Sequence, residues 1–178
     1  VSAAESEIKP YKIGLPDHVL KISLPDGYFG ESMTALSDMS FNPKHPSYLK
    51  NGFFEITSAL YDFNGPFWVG AYGSLKIHIM VQRKLPEYKG DILSIEELQR
   101  YVRWKIGRGK DAEGCLITLS SLNQAPAVLR EWNTFNNPSG QGPEYIKIYS
   151  FPLGDETFLD VGFTVKSWGD AGRKKLHK

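Results

Sequence analysis

The sequence predicts an α+β fold, a mostly antiparallel β-sheet with one principal amphipathic helix, 94–106, packed on a face. Three observations predict it. Residues 94–106 carry every local signal of a helix. The segments on either side alternate apolar and polar residues with period two. Tight turns join the segments that follow the helix, and such short connections suit antiparallel pairing.

The helix comes first because its evidence is local. Ser94 can cap it, and Glu97, three residues on, completes a capping box that satisfies two otherwise unpaired N–H groups. Leu93 and Leu98 flank the cap at the spacing of a hydrophobic staple. Ile95, Leu98, Val102 and Ile106 form the apolar stripe, and Glu96, Gln99, Arg100 and Arg103 face away. Gly107 and Gly109 stop it.

Taken in order, residues 1–12 are polar and poorly patterned, a flexible tether ahead of a single domain over 13–168. Residues 19–24 alternate and run into Pro25, Asp26 and Gly27, a strand ended by a turn. Residues 28–50 are rich in turn formers, with at most one short strand at 38–41. Over 52–63, Phe54, Ile56 and Leu60 share one side and Phe53, Ala59 and Tyr61 the other, which marks a central strand. Over 74–84, Leu75, Ile77, Ile79 and Val81 point inward, while Lys76, His78 and Gln82 point outward. Residues 115–122 and 125–135 read as two more strands, and 136–143 is the strongest loop signal in the chain. Residues 145–153 and 156–166 form a hairpin across the two-residue loop Gly154–Asp155, with glycine free to take positive φ. The tail, 169–178, is basic.

Composition narrows the function. The 178 residues suffice for one domain with a real core, and 41% hydrophobic with 13% aromatic content belongs to a globular protein. Twenty-one basic residues against 20 acidic give a net charge of +1, without the basic excess of a nucleic-acid binder. No apolar run is long enough to span a bilayer. The chain opens on Val1 with no signal-peptide core, as a chain would after loss of a leader or after shortening. Cys115 is the only cysteine and is expected to be a buried thiol, so no disulfide can form within the chain.

Catalytic motifs are missing: no G-x-S-x-G, H-E-x-x-H or S-x-x-K occurs, and Gly30-Glu31-Ser32 lacks the flanking glycine of a nucleophile elbow. A dispersed Ser–His–Asp site built on His78 or His45 stays open, because triads are defined by geometry and not by order. The four histidines, His18, His45, His78 and His177, are scattered without a ligand partner at metal spacing, so neither a metal nor a cofactor is expected. Gly107-Arg108-Gly109-Lys110 follows a helix, whereas a phosphate-cradling loop precedes one. Arg100, Arg103, Lys105, Arg108 and Lys110 place five cations in eleven residues, a solvated face or a docking site for an acidic partner.

The aromatic residues carry the functional reading. Phe67, Trp68 and Tyr72 lie in or beside a Gly/Pro-bounded connection, and Trp132 leads into the 136–143 loop that opens with Asn136 and Asn137. Tryptophan and tyrosine on loops over a rigid sheet suit protein interfaces, and also serve as stacking platforms for sugars. These six residues are the expected partner-binding set; none is assigned to catalysis.

Two segments resemble a known family. Lys21-Ile-Ser-Leu-Pro-Asp-Gly-Tyr28 is similar to the opening of the PsbP-like fold. Ala127-Val-Leu-Arg and the hairpin from Tyr149-Ser-Phe-Pro-Leu-Gly-Asp to Phe163 resemble its last strands, with a helix in mid-chain. That resemblance covers about 19–168 and implies a binding, assembly or chaperone module with no shared catalytic set. The hairpin and the polar start also resemble periplasmic immunity proteins of bacterial type VI secretion systems, which bind and block a toxic effector such as a lipase or wall hydrolase. This second resemblance implies an exported, periplasmic protein with a secreted toxin or hydrolase as partner. It leaves a lipid anchor on the precursor open, since no lipobox cysteine stands at the start of the sequence. The expected function is therefore non-enzymatic binding that inhibits or holds another protein. The alternatives are a small-ligand or carbohydrate-binding module and a hydrolase with a dispersed site.

Overall fold

The computed structural model describes residues 8–15, 19–25, 41–64, 71–108, 114–134 and 144–167. Its elements run β1 (Ile8–Gly14), β2 (Val19–Pro25), α1 (Pro46–Asn51), β3 (Phe53–Asn64), β4 (Ala71–Arg83), α2 (Ile95–Gly107), β5 (Leu116–Leu122), β6 (Ala125–Thr134), β7 (Glu144–Pro152) and β8 (Thr157–Ser167). β3, β4, β8, β7, β6 and β5 lie side by side in that order as one antiparallel sheet. β1 and β2 form a separate two-stranded sheet, so Ile8–Lys12, expected within a tether, belongs to a strand. The fold is α+β and dominated by antiparallel sheet.

α2 starts as its sequence dictates. The Glu97 amide donates to Ser94 Oγ at 3.2 Å and the Ser94 amide to Glu97 Oε2 at 2.9 Å, closing the capping box. The staple does not form: Leu98 is fully buried, but Leu93 is 62% exposed. The buried stripe is Leu98, Tyr101 and Val102, with Ile95 and Ile106 half-buried beside it. Each full burial of such a side chain contributes roughly 1.5–3 kcal/mol.

Both faces of the sheet are covered. On one, Ile79, Val81, Leu159 and Val161 pack with Ile56, Phe41 and Tyr48, the last of these from α1. On the other, Val128 and Phe158 pack under Leu98, Tyr101 and Val102 of α2, with Ile92 from the preceding loop. Tyr88, Tyr101, Trp104 and Phe158 meet there at ring separations of 5.1–6.0 Å.

Four sequence expectations give way. The 52–63 segment becomes β3 at the edge of the sheet, paired with β4 alone; Ile56 is buried, but Phe53 and Leu60 are 44% and 38% exposed, as an edge strand allows. The turn-rich region contains α1: His45 Nδ1 accepts from the Ser47 amide at 3.2 Å, Pro46 sits in the first turn, and Gly52 closes the helix at φ 74°. The β7–β8 hairpin exists, but the Leu153 amide bonds to the Thr157 carbonyl, which makes the loop three residues long, and Gly154 is not in the left-handed region. The two-residue loop of the sheet is Asn123–Gln124, at φ 50° and 69°, left between the strands expected at 115–122 and 125–135 and joining β5 to β6. Cys115 is half-buried, with burial raising its thiol pKa.

Candidate functional site

The strands deliver their connections to two opposite ends of the sheet. Register places Asn64 opposite Ala71, Gly73 opposite Ser167, Glu144 opposite Lys166 and Thr134 opposite Glu144. The connections 65–70 and 135–143 therefore leave from one end, launched by the pairs β3–β4 and β6–β7 on either side of β8. Lys166 Nζ and Glu144 Oε1 pair at 2.5 Å across β8 and β7 at this end. α1, which runs directly into β3 at Phe53, lies at the opposite end, where Phe53 pairs with Gln82 and Arg83 lies opposite Thr157.

This geometry bears on the expected binding residues one by one. Phe67, Trp68, Asn136 and Asn137 lie outside the described residues. Tyr72 lies where the register shifts between Phe63↔Gly73 and Asn64↔Ala71, an irregularity at the end of β4 that leaves it without a β3 partner. Trp132 is half-buried on β6 opposite Ile146, four rows from the Val128 position that α2 covers. Tyr72 and Trp132 thus lie towards the end from which the two connections depart.

Beneath α2 lies a polar cluster that the sequence did not announce. Arg130 Nη2 donates to Asp160 Oδ2 at 2.6 Å and to Ser150 Oγ at 3.1 Å, and the Ser150 hydroxyl donates to Asp160 Oδ1 at 2.6 Å. Gln82 Nε2 is the third donor to the Asp160 carboxylate, at Oδ2, and its Oε1 accepts from Lys105 Nζ at 3.0 Å. Ser150 and Asp160 are essentially sealed from solvent, so the serine and carboxylate tie β4, β6, β7 and β8 to one another and offer no substrate a path. Arg130 Nε has no partner among the described residues. Burial and the nearby Arg130 charge lower the Lys105 pKa below its ordinary 10.5.

Alternation had set His78 and Gln82 towards solvent. They lie instead on the face that α2 partly covers, Gln82 inside the cluster and His78 half-buried. The His78 ring rests on Gly162, where an added Cβ would come within 2.1 Å of its Cε1. Burial first, and then Lys76, lower its pKa below 6.5. His45 serves as the cap of α1, with its ring 4.7 Å from that of Phe54. The basic run also divides. Lys105 turns inward onto Gln82, and Arg108 stacks 4.6 Å above Trp104. Arg100 stays near Glu97 at 4.0 Å, and Arg103 reaches the Ile117 carbonyl on the free edge of β5 at 3.4 Å.

Two hollows adjoin these elements. An apolar groove of about 390 Å³ is floored by Phe151, Leu159 and Val161 and walled by Leu15, Val19 and Leu122. A cleft of about 230 Å³ at the α1 end is lined by Lys50, Phe53, Gln82, Arg83, Lys84, Leu85 and Lys105. Among the described residues no group of three or more His, Cys, Asp and Glu is placed to hold a metal ion, and no helix is long and apolar enough to cross a membrane.

Comparison with protein-family models, with curated proteins and with solved structures returned no match.

Proposed function

We propose that this chain is a non-enzymatic, exported bacterial binding protein that holds or inhibits another protein with the sheet end carrying Tyr72 and Trp132. The observation that carries the reading is the register of β3, β4, β8, β7 and β6. It brings the 65–70 and 135–143 connections, with Phe67, Trp68, Asn136 and Asn137 in their sequences, to one end of a sheet packed on both faces. Aromatic anchors on connections held by a rigid sheet lose little conformational entropy on binding. The resemblance to periplasmic immunity proteins makes a secreted toxic enzyme, a lipase or wall hydrolase, the first partner class to test.

The experiment is affinity capture from the secreted and periplasmic fractions of the source organism, followed by affinity measurement on the protein recovered. One specific protein should bind the wild type, and Trp68→Ala with Trp132→Ala should weaken it by roughly 30-fold or more. Arg100→Gln, on the exposed side of α2, should bind as the wild type does. Recovery of nothing specific, or a partner indifferent to both tryptophans, contradicts the reading.

A second reading, a small-ligand module, is favoured by the groove over Phe151, Leu159 and Val161. Its apolar floor suits a hydrocarbon chain better than a sugar. A thermal shift with a fatty acid and none with protein would support it.

A further inference from the structure

We infer that the cleft between the end of α1, the end of β4 and the last turn of α2 is a binding site for a small organic phosphate. Four cations line it, Lys50, Arg83, Lys84 and Lys105, and no carboxylate does among the described residues. They come from three separate elements, so this is not a basic run on one solvated helix face.

Three of the four, Lys50, Arg83 and Lys105, pair with no carboxylate among the described residues. Among the described residues the carboxylate near Lys105 is Asp160, which already accepts from Arg130, Ser150 and Gln82, and Gln82 stands between it and the ammonium group. Arg130, Asp160 and Lys105 together leave one positive charge in excess, half-buried at the cleft wall. Lys105 spends one N–H on Gln82 Oε1, and no other acceptor for it occurs among the described residues. Arg83 is half-buried, 5.7 Å from the Tyr48 ring centre, and pairs with no described carboxylate. Lys84 is only partly neutralised, by the Gly90 carbonyl at 2.8 Å and exposed Asp91 at 3.8 Å.

A cation taken out of water without a partner is unfavourable, and an incoming anion removes that penalty. The guanidinium fork of Arg83 matches phosphate oxygens, and a dianion answers this much charge better than a single carboxylate. Phe53 and Leu85, 44% and 39% exposed, give the rim an apolar part for the organic remainder of the ligand. Arg103 lies outside the cleft, its side chain reaching the Ile117 carbonyl of β5, so it serves as a control.

The test is titration calorimetry with phenyl phosphate, inorganic phosphate and benzoate on the full chain. Phenyl phosphate should bind saturably with one site, inorganic phosphate more weakly at the same residues, and benzoate at least tenfold more weakly. Lys105→Met and Arg83→Gln should each weaken phenyl phosphate by about tenfold or more, and Arg103→Gln should leave it unchanged. Lys105→Met should also raise the unfolding midpoint of the free protein, since it replaces a half-buried cation by an apolar side chain of similar length, so its loss of binding cannot be unfolding. Phenyl phosphate binding that does not saturate, that benzoate equals, or that survives both Lys105→Met and Arg83→Gln overturns the assignment.

Discussion

The two faces of the sheet are buried by different chemistry. On the α1 face Ile79, Val81, Leu159 and Val161 pack with Ile56, Phe41 and Tyr48, and the polar contact there is a single hydroxyl pair, Tyr48 with Thr157 at 3.3 Å, among the described residues. On the α2 face, Leu98, Tyr101 and Val102 cover Val128 and Phe158, and beside them lies the Arg130–Ser150–Asp160–Gln82 cluster. An apolar face loses stability in proportion to the atoms removed. A buried ion pair behaves otherwise: removing one partner strands the other, while removing both can be neutral. The α2 face is therefore the more brittle, and its excess of positive charge is what opens at the cationic cleft.

The largest effect should come from Asp160→Ala, which leaves Arg130 buried without its carboxylate. About 3 to 5 kcal/mol should be lost in urea denaturation. Replacing the set together, Arg130→Met with Ser150→Ala and Asp160→Leu, should return stability to within about 1 kcal/mol of wild type or above it. Equal losses in the single and triple variants would erase the contrast between the faces. Next, Leu159→Ala on the apolar face should cost about 3 kcal/mol, with no comparable rescue from changing its neighbours to other apolar residues.

Smaller again is Gly162→Ala, whose methyl would drive into the His78 ring. The expected cost is about 1 to 3 kcal/mol, and His78→Ala in the same chain should recover most of it. The smallest effect is a pH dependence. The folded state holds the His78 pKa below 6.5 by burial, so the unfolded chain binds the proton more readily. Its contribution is fully present above pH 6.5 and is lost as pH falls through the depressed folded value. Thermal unfolding midpoints should decline in that window, and His78→Gln should flatten the decline.

How far the sequence could be read depended on how local the cause was. α2 was legible because Ser94, Glu97 and the apolar spacing all lie within one segment. Tyr101 and Lys105 continue the Leu98 spacing at i+3 and i+7, so their inward direction was written there too, though hidden by a polar tip and a charge. His78 and Gln82 misled because alternation distinguishes two faces without saying that the second is covered. α1 had a signal, Pro46 at its start and Gly52 at its end, masked by the density of turn formers around it. The Asn123–Gln124 turn puts glutamine at positive φ, a position where composition suggests glycine. Gly162 answers to a ring on β4, and the cleft draws on α1, β4 and α2, so neither could be found from neighbours in sequence.

The most direct measurement on the binding account is amide hydrogen exchange of the free chain and of its complex with the captured partner. Protection should appear in peptides covering 64–72 and 132–144, at the end of the sheet with Tyr72 and Trp132, and leave α2 and β5 unchanged. Protection confined to α2, β5 or the α1 end, with 64–72 and 132–144 exchanging as in the free chain, would contradict it.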